Sequence, residues 1–190
     1  PYNTYRCIEI DPSDPDLTWI ERQVYDPEIN SNTDFGLEPA KYASLVSTND
    51  NGVDRTYVIP DQRRRILKAT ASTLKYLADV NGESTFQGSW GAAALAPESK
   101  VIYAVPRNSD YILTIDTKRD ELIDLLITGA VRETRGPNKF SGVAATNNGL
   151  LFASPDNGDR FLEINSGATV RTQNLPAPGV KLDDGVTIVY

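Results

Sequence analysis

Three arginines stand side by side at Arg63, Arg64 and Arg65, in the stretch IPDQRRRIL. The chain carries 19 Lys and Arg against 26 Asp and Glu, a net charge of −7, so this run is a local positive spot in an acidic protein. A guanidinium presents a planar fork of donors that suits a carboxylate, a phosphate or an acidic partner surface. A solvated turn is the plainer reading of the same residues. Arg132 and Arg135, in VRETRGPN, repeat the feature more weakly. These five arginines are the candidate binding residues.

Other chemistry is limited by what the composition lacks. The sequence contains no histidine, which removes the commonest general base near neutral pH and the commonest metal ligand. Asp156-Asn157-Gly158-Asp159 has the look of a metal loop, but it lacks the spacing and distal Glu of a calcium loop and reads better as a hairpin turn. No glycine-rich phosphate loop, nucleophile triad or zinc spacing is present. No catalytic residue, metal site or cofactor is therefore assigned. Cys7, the single cysteine, has no internal disulfide partner, and its place in an apolar strand pattern predicts a buried, inert thiol.

At 190 residues the chain suits one domain with a sizeable core. Its acidity argues against nucleic acid, which needs a basic face. No apolar run reaches the length of a membrane span. The first residue is a proline rather than Met, which fits a processed chain or a piece of a longer polypeptide.

What must position any site is a repeat. Residues 55–70 (RTYVIPDQRRRILKAT), 101–116 (VIYAVPRNSDYILTID) and 150–165 (LLFASPDNGDRFLEIN) share one frame. An aromatic residue (Tyr57, Tyr103, Phe152) stands three places before a proline (Pro60, Pro106, Pro155), and an apolar residue (Ile66, Ile112, Phe161) stands six places after it. The three prolines are 46 and 49 residues apart. Pro1, Cys7 and Asp11 of the opening PYNTYRCIEID fit the same frame. Upstream of each unit lies a small-residue run opened by an aromatic: Tyr42, Trp90 or Phe140. Downstream lies a fourth apolar run, with Asn, Gly, Asp and Pro between the runs to reverse the chain.

One repeat thus reads as four short strands. Residues 117–130 also show a helical spacing at Leu122, Leu125 and Leu126, but the matching run in the next repeat has none, which favours a strand. Four strands in a unit of this length is the arithmetic of a β-propeller blade, too small to bury both faces alone. The expected fold is all-β: blades of four antiparallel strands, about four blades' worth, as a segment of a larger propeller. The expected layout is a half blade over 1–40, repeats near 41–88, 89–137 and 138–177, and a half blade over 178–190. Asp11, Asp116 and Asn165, at strand ends, are expected to close turns rather than act as acids. Trp19, in the outer strand of the first unit, is expected in the core.

The stretch WGAAALAPESKVIYAVPRNSDYILTID (90–116) resembles the propeller-type repeat of many microbial proteins: an aromatic, small residues, a "LAP-NG" turn, an "IY-IP" strand, then "VL-ID". The likeness extends over most of residues 41–190 and implies a fold, with no activity to carry over residue by residue. Polar residues that conform to the repeat, and the absence of a catalytic set, lead to the expectation of a non-catalytic scaffold that binds other protein chains. The alternative is an enzyme or small-ligand propeller whose central carboxylate or metal site is completed by blades outside this chain.

Overall fold

The computed structural model describes residues 6–10, 19–23, 42–61, 65–80, 90–127, 136–157, 160–165 and 169–174. All regular structure among them is strand. A hairpin of β1 (Arg6–Ile10) and β2 (Trp19–Gln23) comes first. Three four-stranded sheets follow. The first is β3 (Tyr42–Asp50), β4 (Val53–Pro60), β5 (Arg65–Ala69) and β6 (Leu74–Asp79). The second is β7 (Trp90–Ala96), β8 (Val101–Pro106), β9 (Tyr111–Asp116) and β10 (Glu121–Ile127). The third is β11 (Phe140–Ala145), β12 (Leu150–Pro155), β13 (Arg160–Asn165) and β14 (Thr169–Asn174). Each is an antiparallel meander in chain order, and the helical reading of residues 117–130 gives way to strand β10.

The repeat frame is a pairing frame. Tyr42 lies opposite Pro60, Trp90 opposite Pro106 and Phe140 opposite Pro155, and each first strand shifts register immediately after its aromatic. A proline cannot donate to a ladder, so the last residue of a strand is where it fits. The β3–β4 turn uses Asn51 (φ 52°) and Gly52 (φ 79°), two successive left-handed residues that match the strand twist.

The sheets stack face to face, with β7 packed against both β3 and β11. Small residues let these first strands approach: a Cβ on Gly91 would sit 2.7 Å from the Phe140 backbone oxygen. One core cluster fills the first seam with Tyr57, Ile59, Ile66, Trp90, Ile102 and Leu113. A second fills the next seam with Tyr103, Val105, Ile112, Phe140, Leu151 and Leu162. Strands β8 and β9 are therefore buried on both faces almost throughout, whereas β12 alternates. Each fully buried aliphatic side chain contributes about 1.5–3 kcal/mol, so the seams hold the arc together.

Equivalent residues differ in exposure. Tyr57 and Tyr103 are 0% and 6% exposed, but Phe152, at the same repeat position, is 39% exposed. It points to the side of the third sheet that no sheet among the described residues covers. Trp19 and Cys7 lie in β2 and β1, but their side chains fall outside the described residues.

Candidate functional site

The three sheets have two unlike ends. One, the turn end, carries the links from first to second strand and from third to fourth. The other, the linker end, carries the second-to-third turns and the connections between sheets.

At the turn end the polar side chains are largely matched. Asp116 Oδ1 accepts the backbone N–H of Lys118 (2.8 Å) and of Arg119 (3.2 Å), the turn-closing role expected of it. Thr70, which stands at that repeat position in the first sheet, does the same job by accepting from the Thr73 N–H at 3.2 Å. Asp120, held at φ 57°, joins the first two sheets. Its Oδ1 accepts the Tyr57 hydroxyl at 2.6 Å and its Oδ2 accepts Lys68 Nζ at 2.6 Å. Arg55 adds a hydrogen bond to the Thr117 carbonyl at 3.2 Å. Burial alone would raise the Asp120 pKa, but the hydrogen bonds from Lys68 and Tyr57, together with the positive charges of Lys68 and Arg55, outweigh it and hold the carboxyl below its ordinary value. The Tyr57 phenol is pushed well above the tyrosine range, by burial first and then by its bond to Asp120, so it stays a donor.

At the linker end the residue after each repeat proline is Asp61, Arg107 or Asp156. The second and third sheets are laced together there. The Lys139 N–H donates to the Arg107 carbonyl (2.7 Å), the Asp156 N–H to the Lys139 carbonyl (3.0 Å) and the Asn157 N–H to the Asn138 carbonyl (3.1 Å). Lys139 is buried, and its ammonium donates to the Ser109 carbonyl (2.9 Å) and to Asp110 Oδ1 (2.5 Å). Arg107 Nε donates to Asn138 Oδ1 at 2.9 Å, and the Asn138 N–H donates to Asn108 Oδ1 at 2.8 Å.

Asp61 breaks this pattern of satisfaction. It is 2% exposed, and its Oδ1 finds no hydrogen-bond partner among the described residues. Burial raises its pKa, and the positive charge of Arg107 offsets part of that rise. Among the described residues two other buried oxygens lack partners, Thr48 Oγ1 and Ser99 Oγ, but both are neutral hydroxyls. A buried carboxyl with spare hydrogen-bonding capacity and a raised pKa holds its proton more tightly than an ordinary aspartate and is a candidate proton-transfer group. Among the described residues no three Asp, Glu or Cys side chains come together as a metal site would need. No helix among them is long and apolar enough to cross a membrane.

Of the five candidate arginines, Arg63, Arg64, Arg132 and Arg135 lie outside the described residues. Arg65 opens β5, opposite Asp79 in the ladder. Sequence reasoning singled out this turn, the one that departs from its counterparts, for its arginines and not for Asp61. The available signal was position: Asp, Arg and Asp follow three equivalent prolines.

No family model matches the sequence, and no curated protein does. Solved structures do. A streptogramin B lyase superposes over 92% of this chain and 49% of its own, at 14% identity and a TM-score of 0.63. A catalytically inactive virginiamycin B lyase variant from Staphylococcus aureus, solved with quinupristin, matches over 73% of this chain and 43% of its own, at 15% identity and a TM-score of 0.52. A protein assigned as a 6-phosphogluconolactonase, from Bacteroides uniformis, matches over 94% of this chain and 54% of its own, at 15% identity and a TM-score of 0.54. The chain is thus built of β-propeller blades, and it spans about half the length of these proteins. The expected non-catalytic scaffold is corrected here: the fold's structural neighbours carry enzyme names, which favours the alternative reading.

Proposed function

We propose that this chain is part of an enzymatic, small-ligand-binding propeller, with its site at the linker end, Asp61 as the proton-transfer group, and the enclosure completed by blades beyond the three described sheets. The observation that carries this reading is the buried Asp61 carboxyl with an unpartnered oxygen beside the Arg107 charge. An unsatisfied buried carboxyl costs stability, and such costs are concentrated at working sites. A raised pKa gives Asp61 a larger protonated fraction than an ordinary aspartate, and Arg107 stabilises the anion once the proton has left.

The neighbours support the class of activity. A histidine-to-alanine variant of the virginiamycin B lyase is catalytically inactive. The present 190 residues contain no histidine, so proton transfer by this chain falls to another group, and Asp61 has the required environment. We also read the repeat as the aromatic–small–LAP–NG–IY–IP–VL–ID kind, with units near residues 41–88, 89–137 and 138–177. Ligand-observed NMR screening of a small-molecule set against the wild type and Asp61→Ala tests the proposal. Hits that disappear in the variant support it. A screen whose hits bind both proteins equally would sink it.

A further inference from the structure

Arg107 is the cation that departs from the repeat at the linker end, and it forms no ion pair among the described residues. Its two counterparts after the repeat proline are acids, Asp61 and Asp156, so the fold does not require a cation there. In a repeat protein a residue that departs from its equivalents is freed from the shared structural job. The nearby cation Lys139 shows the contrast: it is buried and bound to Ser109 and Asp110. Arg107 is half-buried, and only its Nε has a side-chain partner among the described residues, Asn138 Oδ1 at 2.9 Å. That bond fixes the guanidinium plane and leaves both terminal nitrogens without a side-chain partner among the described residues.

The support beneath it is rigid. Asn138 is held by its own N–H to Asn108 Oδ1 and by its carbonyl from the Asn157 N–H, and the Arg107 carbonyl is held by the Lys139 N–H. Asp61, buried and unpartnered at Oδ1, lies close enough to feel the Arg107 charge, yet no ion pair joins the two among the described residues. The free edge of a guanidinium matches two oxygens of one anionic group.

We propose that Arg107 anchors the ligand of the site through an anionic oxygen group, a carboxylate or phosphate, and thereby selects which molecules present a reacting atom to Asp61. The inference rests on the reading of Asp61 as the working group of this end. Arg107 is a specificity residue here, and Asn138 is a positioning residue that acts through it.

The test titrates isotope-labelled protein with inorganic phosphate, with acetate and with uncharged glycerol, following the Arg107 Nε–H signal and the amides of residues 61 and 138 by NMR. Phosphate and acetate shift these signals saturably, and glycerol does not. Arg107→Gln weakens the response by about tenfold or more, the size of a lost charge-assisted pair. Arg107→Lys recovers part of it, because a point charge remains without the fork. Asn138→Ala weakens it by a smaller factor while the amide spectrum stays folded. The inference is overturned by an unchanged response in Arg107→Gln, by equal binding of glycerol, or by anion shifts scattered over the surface as from an adventitious ion. Absence of any saturable shift overturns it too. If Asp61 still titrates above the ordinary aspartate range in that case, only the anion inference fails. If Asp61 titrates as an ordinary aspartate, the functional reading fails with it.

Discussion

Asp120 and Asp61 are both aspartates in turns of neighbouring sheets, one at each end of the same seam, and they have opposite fates. Asp120 accepts from Tyr57 and Lys68 at 2.6 Å each, and its pKa is lowered. Asp61 is more deeply buried, has an unpartnered oxygen and has a raised pKa. Burial acts on both; hydrogen bonds decide the outcome. The lesson is that in a repeat fold the carboxylate count says little, and satisfaction separates the structural acid from the one proposed to work.

The largest stability effect should come from breaking the satisfied end. Asp120→Ala removes the carboxylate acceptor of the Lys68 ammonium and leaves the Tyr57 hydroxyl only its longer bond to the Thr117 carbonyl at 3.4 Å, and should cost about 2 kcal/mol in chemical denaturation. It should leave anion and ligand binding at the other end unchanged, because the two ends share no side-chain partner among the described residues. Asp61→Asn should do the reverse. Neutralising a buried, unpartnered carboxylate should raise stability at neutral pH by about 1 kcal/mol, while ligand turnover is lost. A loss of stability in Asp61→Asn would place Asp61 among the structural acids. The smallest effect is Tyr57→Phe, which removes one hydrogen bond but keeps the ring in the seam, at about 1 kcal/mol or less.

Much of this architecture was legible in the sequence. The aromatic–proline–apolar frame became the Tyr42–Pro60, Trp90–Pro106 and Phe140–Pro155 pairs. These features are local, set by turn chemistry, proline and side-chain alternation. Residue 152 shows the limit: its type predicts core, but burial needs a neighbouring sheet that its own blade cannot supply. The site was less legible for a related reason. Asp61 and Asp156 are the same letter at the same repeat position, and only the three-dimensional packing shows that the first is buried and the second exposed. The arginine run drew attention because charge is visible in sequence. Hydrogen-bond satisfaction is not.

The two acids also differ in how pH acts through them. Asp120 has a depressed folded pKa, so its contribution is present above the ordinary aspartate value of 3.8 and is lost as pH falls through the lower folded value. Asp61 has a raised folded pKa, so the native state holds its proton more tightly than the unfolded chain. Its cost appears as pH rises from 3.8 through the folded value, and acid removes it. The most direct test is a carboxyl carbon-13 NMR titration of both residues in one sample. Asp61 should titrate above 3.8 and move higher still in Arg107→Gln, with Asp120 below 3.8. An Asp61 midpoint at or below 3.8 would contradict the assignment of the linker end as the working end.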